Sequence, residues 1–148
     1  MRAKMSAQWL ENRPLFKECL EILDTQLLPE QEADRISALF NRIVPMTTWG
    51  KVDWNKINKK VDINGDPENI IPALEKLLKG PVDKTVYIEW STGGIPVIKA
   101  DLDAVVKFFD YVTCVSFDKF IFNPSAGYII EVLPDYTITV GLFQEHQT

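Results

Sequence analysis

Two glutamates interrupt apolar runs and are the first residues whose chemistry we consider. Glu89 stands in VYIEW and Glu131 in YIIEVL. Paired carboxylates can act as general acid and base, as in a glycosidase, or can hold the metal ion of a nuclease. A solvent-facing strand position explains each glutamate as well, because antiparallel sheets usually leave one face wet. We favour the solvent-facing interpretation and keep a small enzyme that uses both carboxylates as an alternative.

Other motifs with catalytic or ligand-binding potential lack decisive residues. STGG, residues 91–94, has no P-loop lysine, so a turn between two strands is favoured. DINGDPEN, residues 62–69, resembles a calcium loop but has Pro67 where the sharp turn needs glycine and Ala73 where the bidentate glutamate belongs. The single histidine, His146, lies in a C-terminal tail that we expect to be disordered. We therefore predict no catalytic residue, no metal site and no cofactor.

The excess of acidic residues indicates which kind of partner the chain can bind. The chain has 16 Lys and Arg against 21 Asp and Glu, a net charge of −5. Nucleic-acid binders need clustered Lys and Arg, so direct nucleic-acid binding is not expected, and a basic protein partner is favoured. No run of about 18 apolar residues predicts a membrane span. Glu11 and Arg13 interrupt the N-terminal segment before it can form a signal-peptide core, so we predict a cytoplasmic protein.

The first secondary-structure elements predicted along the chain are helices. Apolar residues recur every three or four positions in residues 13–28 and again in residues 29–44, which predicts two amphipathic helices. The second carries acidic residues at the N-terminal end, where the helix dipole favours them: Glu30, Glu32 and Asp34. A third helix is predicted to end at Gly80, and a short helix is considered for residues 53–60.

From residue 84 onward the pattern is typical of strands. VYIEW alternates apolar and polar residues, and IPVIKA follows as its partner, with Pro96 indicating a sheet edge. DLDAVVKFFDYV predicts one helix on the sheet, and three more strands follow to about residue 143. We predict an α+β fold in a single domain, 1–148, in which helices in about 7–80 pack with an antiparallel sheet of about five strands in about 84–143.

Two tryptophans are candidates for contact with a partner. Trp49 and Trp54 stand in a polar segment that contains glycine. A tryptophan is usually a core residue because it buries a large area. Exposed aromatic residues beside acidic ones, however, are the anchors that protein interfaces use.

The sheet-rich part also resembles a known family. The segments VYIEWSTGGIPVIKADLDAVVKFFD, FIFNPSAGYIIEVL and TITVGLF, in that order, resemble immunity proteins of bacterial contact-dependent growth inhibition and related polymorphic-toxin systems. The resemblance rests on the general pattern and assigns no role to any residue. It implies a small cytosolic protein that binds and neutralises one cognate toxin domain, commonly a nuclease.

The resemblance and the acidic charge together predict an immunity protein that is not an enzyme. An acidic domain can occupy the basic substrate groove of a nuclease, with charge complementarity speeding the encounter. A housekeeping scaffold module is a further alternative. The predicted partner-binding residues are Glu30, Glu32, Asp34, Trp49, Trp54, Asp101 and Asp103.

Overall fold

A computed structural model describes residues 7–91 and 94–144 of the chain. Within them the chain forms six α-helices and six β-strands. In chain order these are α1 (Ala7–Glu11), α2 (Pro14–Ile22), α3 (Glu30–Ile43), β1 (Lys59–Asp62), α4 (Ile70–Leu78), β2 (Thr85–Trp90), β3 (Ile98–Asp101), α5 (Leu102–Lys107), α6 (Phe109–Thr113), β4 (Lys119–Asn123), β5 (Tyr128–Val132) and β6 (Ile138–Leu142). Short 3-10 helices, Trp54–Lys56 and Pro67–Asn69, precede β1 and α4.

The strands form one antiparallel sheet in the order β1-β6-β5-β4-β2-β3. This confirms the α+β fold class and the edge position of β3. The sheet of the described chain has six strands, not about five, because β1 pairs with β6. The prediction of a short helix in residues 53–60 is wrong. Only Trp54–Lys56 is helical, and the chain from Lys59 onward is a strand because it pairs with the distant strand β6. β1 therefore joins the first half of the chain to the sheet, and the single-domain organisation stays a prediction.

Both faces of the sheet are covered by helices. On one face, residues of α2, α4, α5 and α6 form the larger apolar cluster with Val86 and Ile88 of β2. On the other face, Ile36 and Phe40 of α3 pack against Phe122 and other strand residues. Every residue of β4 and β5 is consequently buried, so the expectation of one wet face is wrong for the centre of this sheet.

Several helix boundaries differ from the sequence prediction for local reasons. α2 ends at Ile22, since Asp24 takes the left-handed conformation with φ 52° and turns the chain. α4 begins late enough that Pro72 falls in its first turn, where a missing N–H costs nothing. The single helix predicted after β3 is two helices, because Phe108 leaves the helical region with φ −110° and ψ 37°.

β2 and β3 pair antiparallel, as predicted, with Val86 opposite Ala100 and Ile88 opposite Ile98. Thr92 and Gly93 of the predicted turn lie outside the described residues, as does His146. None of the helices in the described part of the chain is long and apolar enough to cross a bilayer.

Candidate partner-binding surface

The two glutamates lie on the same face of the sheet, in one row across three strands. Phe120 of β4 pairs with Glu89 on one side and with Glu131 on the other. Glu131 is 3% exposed and accepts hydrogen bonds from the backbone N–H of Val52 at 2.8 Å and from the indole N–H of Trp54 at 2.7 Å. The solvent-facing interpretation is therefore wrong for Glu131, whose carboxylate holds the segment before β1 onto the sheet.

Glu89 is half-buried beneath α3, so the solvent-facing interpretation is wrong here too. Its Oε1 accepts a hydrogen bond from the hydroxyl of Ser37 at 2.8 Å. Between the two glutamates, the ring of Phe120 packs against Phe40, with 5.3 Å between ring centroids. The space that a substrate would need between the carboxylates is filled by apolar side chains, which argues against the small-enzyme alternative.

Trp49 lies at the tip of a hairpin that Glu131 helps to hold. Met46 and Val52 form an isolated antiparallel bridge, and the N–H of Thr47 donates to the carbonyl of Lys51 at 2.8 Å. At this tip, Trp49 is 74% exposed. The structure thus presents Trp49 to solvent on a hydrogen-bonded loop, as a contact residue requires.

Trp54 differs from Trp49 because its side chain is part of the fold. It is half-buried, its indole N–H is bound by Glu131, and its ring lies over Gly141 of β6. A Cβ on Gly141 would stand 2.6 Å from the Cζ3 of Trp54. Trp54 therefore positions the hairpin, and contact with a partner stays a prediction for this residue.

The acidic start of α3 and the hairpin of Trp49 flank opposite ends of that helix. Glu30 is exposed, and Glu32 forms an ion pair with Arg35 at 2.6 Å. Asp34 is also exposed. α3 has 14 residues and is about 21 Å long at 1.5 Å per residue, and the hairpin follows its C-terminal end. One compact partner contact that uses both the α3 start and Trp49 would have to run along the whole helix.

Asp101 and Asp103 have local structural partners at the start of α5. The Asp101 carboxylate caps this helix by accepting from the N–H of Ala104 at 3.2 Å. Asp103 pairs with Lys84 at 3.1 Å, with both side chains largely solvent-exposed. Asp101 ends the edge strand β3 and Asp103 lies in the first turn of α5, so the seven predicted contact residues come from separate segments of the structure.

A different surface brings exposed apolar residues together, and the sequence reasoning missed it. One shallow groove of about 320 Å³ is lined by Leu15, Glu18, Asp110, Tyr111 and Cys114. A second groove of about 340 Å³ is lined by Cys114, Phe117, Pro134 and Tyr136 among others. Cys114 lines both grooves, so the two grooves are adjacent. We call the two together the α2–α6 face, defined by Leu15, Glu18, Asp110, Tyr111, Cys114, Phe117 and Tyr136.

The apolar side chains of the α2–α6 face are unusually open to solvent. Phe117 is 77% exposed, Leu15 53%, Tyr136 51% and Tyr111 39%. Together they are four of the six large apolar residues that are exposed in the described chain. Scattered exposed apolar residues are normal, but a contiguous group marks an interaction site.

The loops that present Phe117 and Tyr136 are held by specific bonds. The ammonium of Lys119 donates to the carbonyl of Phe117 at 2.7 Å, and burial lowers the pKa of this lysine. Tyr136 has a φ of 67° in the turn between β5 and β6. Beside it, the Asp135 carboxylate accepts from the N–H of Thr137 at 3.0 Å, and this bond lowers the pKa of Asp135.

Three exposed carboxylates lie in or beside the α2–α6 face. Glu18 and Asp110 are exposed in the first groove, and Asp135 is exposed next to Tyr136. On the side toward Trp49, Asp118 forms an ion pair with Lys51 of the hairpin. The surface therefore combines an aromatic centre with an acidic border, which fits a partner that carries basic residues around an apolar contact.

Comparison with known proteins agrees with a binding role. No curated protein matches the chain. A family model described as CdiI immunity protein EcoliA0-like matches residues 13–141, from the start of α2 into β6. The match includes the N-terminal helices and confirms the resemblance seen in the sheet-rich part. The chain therefore belongs to the CdiI immunity proteins, which neutralise the toxin of a contact-dependent growth inhibition system.

Proposed function

We propose that the toxin neutralised by this protein is a basic nuclease domain, and that neutralisation is charge-complementary binding without catalysis. The net charge of −5 carries the proposal. Within the described core the charged residues are Lys119 and Glu131, one of each sign, so the excess negative charge belongs to the surface. A nuclease must hold polyanionic substrate in a basic groove, and an acidic protein surface is complementary to such a groove.

Electrostatic attraction accounts for the rate and selectivity of such binding more than for its affinity. Complementary charges speed encounter and suppress wrong partners, whereas tight binding depends on a few buried anchor residues. Trp49 is an exposed candidate anchor, and the α3 start is a candidate acidic contact. These assignments, with those for Trp54, Asp101 and Asp103, stay predictions.

The experiment is a rescue assay followed by kinetics on purified proteins. We expect the cognate toxin to be encoded directly upstream of this chain, and cells that express its C-terminal domain should survive when they also express this chain. The purified toxin domain should degrade RNA or DNA, and an equimolar amount of the chain should abolish that degradation. Toxin that kills cells without degrading nucleic acid would refute the nuclease assignment while leaving the immunity function intact.

The electrostatic part of the proposal has its own measurement. The association rate constant should fall at least about tenfold from low salt to about 0.5 M NaCl, because salt screens the charges that steer the encounter. Replacing Glu30 by lysine tests the α3 start, and replacing the exposed Glu75 of α4 by lysine is the matched control with the same charge change. An association rate that does not change with salt would refute charge steering.

A further inference from the structure

We infer that the α2–α6 face is the surface on which the toxin domain docks, with Tyr111 and Phe117 as its anchors. The inference rests on the proposed function, because it takes the partner to be a basic protein domain. It goes beyond that function by choosing one region of the surface. It also differs from the sequence prediction, which placed the contact at the α3 start and Trp49.

The first argument is the concentration of exposed aromatic area. Tyr and Phe are enriched at the centres of protein interfaces, and Tyr is among the residues that most often dominate binding energy. Tyr111, Phe117 and Tyr136 line two grooves that share Cys114. Grooves between exposed rings can accept side chains from a partner, which a flat polar surface cannot.

The second argument is the sign of the surrounding charge. Glu18 and Asp110 line the same groove as Tyr111, and Asp135 precedes Tyr136. The ammonium of Lys119, beneath the face, is bound to the carbonyl of Phe117, and the residue is 4% exposed. The border of the face thus presents negative charge, the sign that complements a basic toxin domain.

The third argument is rigidity. α6 is fixed to the core by the buried Phe109 and Val112, and the carbonyl of Val112 accepts from the indole N–H of Trp90 at 3.1 Å. α2 is anchored by the buried Phe16, whose ring packs edge-on against that of Trp90 at 5.6 Å between centroids. A surface fixed in this way loses little conformational entropy when it binds.

The exposed Cys114 gives a direct test on the unmodified chain. Cys114 lies in the middle of the face, whereas Cys19 is buried, and burial raises the pKa of its thiol to about 12. N-ethylmaleimide should therefore label Cys114 in the native chain, and Cys114→Ser should remove the labelling. In the equimolar complex with the upstream toxin domain, isolated by gel filtration, labelling of Cys114 should be at least about tenfold slower than in the free chain.

Variants give an independent measure of the same contact. Tyr111→Ala and Phe117→Ala should each raise the dissociation constant for the toxin domain by at least about 30-fold, the size typical of an anchor residue. Glu18→Lys should weaken binding as well, whereas the matched control Glu75→Lys should change it by less than about threefold. Circular dichroism and urea unfolding of each variant check that the fold is retained.

The outcomes separate this inference from the proposed function. If the wild-type chain forms no complex with the upstream toxin domain, both are refuted. If the complex forms while Cys114 reacts at its free rate and the two alanine variants bind normally, the α2–α6 face is refuted and the proposed function stands. If Glu30→Lys weakens binding more than Glu18→Lys, the toxin docks at the α3 start and this inference is wrong.

Discussion

Replacing Glu131 by alanine should destabilise the protein strongly, because this carboxylate holds the hairpin that carries Trp49. Its two oxygens accept from the N–H of Val52 and the indole N–H of Trp54, at 2.8 and 2.7 Å. Truncation leaves both donors without this acceptor, and each unsatisfied buried donor costs about 1–3 kcal/mol. The expected loss is therefore about 2–6 kcal/mol, a large part of the roughly 5–15 kcal/mol by which domains of this kind are stable.

Urea unfolding measures this loss. With a slope of about 1–3 kcal/mol per molar urea, a loss of at least about 2 kcal/mol should lower the midpoint for Glu131→Ala by at least about 0.7 M. Glu131→Gln keeps one acceptor oxygen and should lose less than Glu131→Ala. Trp54→Phe removes a single donor, and the loss on combining it with Glu131→Gln should be smaller than the sum of the single losses, because the two changes remove a shared bond.

A loss below about 1 kcal/mol for Glu131→Ala would refute this reasoning, since that is the least cost of one orphaned donor. The small-enzyme alternative makes the opposite prediction. In that case Glu131→Gln would abolish a biological activity while leaving the urea midpoint unchanged.

Three further predictions concern packing, ionisation and the exposed face. Gly141→Ala should lower the free energy of unfolding, measured in urea, by about 1–3 kcal/mol, because the new Cβ would stand 2.6 Å from the Trp54 ring. Gly80→Ala is the control and should be nearly neutral, because its Cβ would meet nothing within 4 Å. Equal losses of stability in the two variants would contradict the argument. Burial raises the pKa of the Cys19 thiol from 9.0 to about 12, so the unfolded chain loses this proton first. Stability should then fall from about pH 9 to pH 12 by up to about 1.4 kcal/mol per pH unit, and an unchanged slope in Cys19→Ala would contradict this origin. Phe117→Ser should leave the free energy of unfolding within about 0.5 kcal/mol, as expected for an exposed residue, and a larger loss would show that Phe117 supports the fold.

The elements that sequence predicts best are those whose signals are local. α3 begins at Glu30 and ends at Ile43, within the predicted segment 29–44, because an acidic first turn and an apolar stripe lie in that segment and Pro45 directly follows it. The alternating pattern of β2 likewise places Val86 in the core and Thr85 outside it. β1 has no such signal, since all four of its side chains are exposed and its strand conformation depends on pairing with β6.

The candidate surface could not be predicted in the same way, because it is assembled from distant segments. Leu15 lies among the recurring apolar residues that predict α2, a pattern that favours burial, although it is 53% exposed. Tyr111, Phe117 and Tyr136 come from α6, the loop that follows it and the β5–β6 turn. The solvent-facing prediction for Glu131 fails for a different reason: a strand buried on both faces shows no alternation, so the sequence does not reveal that both sides are covered.

The way the sheet is covered also limits how a toxin can bind. α3 occupies one face and the other helices occupy the opposite one, so a partner cannot lie directly on the sheet. Both edge strands are four residues long, and β1 exposes the charged residues Lys59, Lys60 and Asp62. Short, charged edges disfavour pairing with a strand from another chain. Binding must then depend on side chains that project from helices and loops, and the α2–α6 face combines exposed aromatic rings with acidic charge in this way.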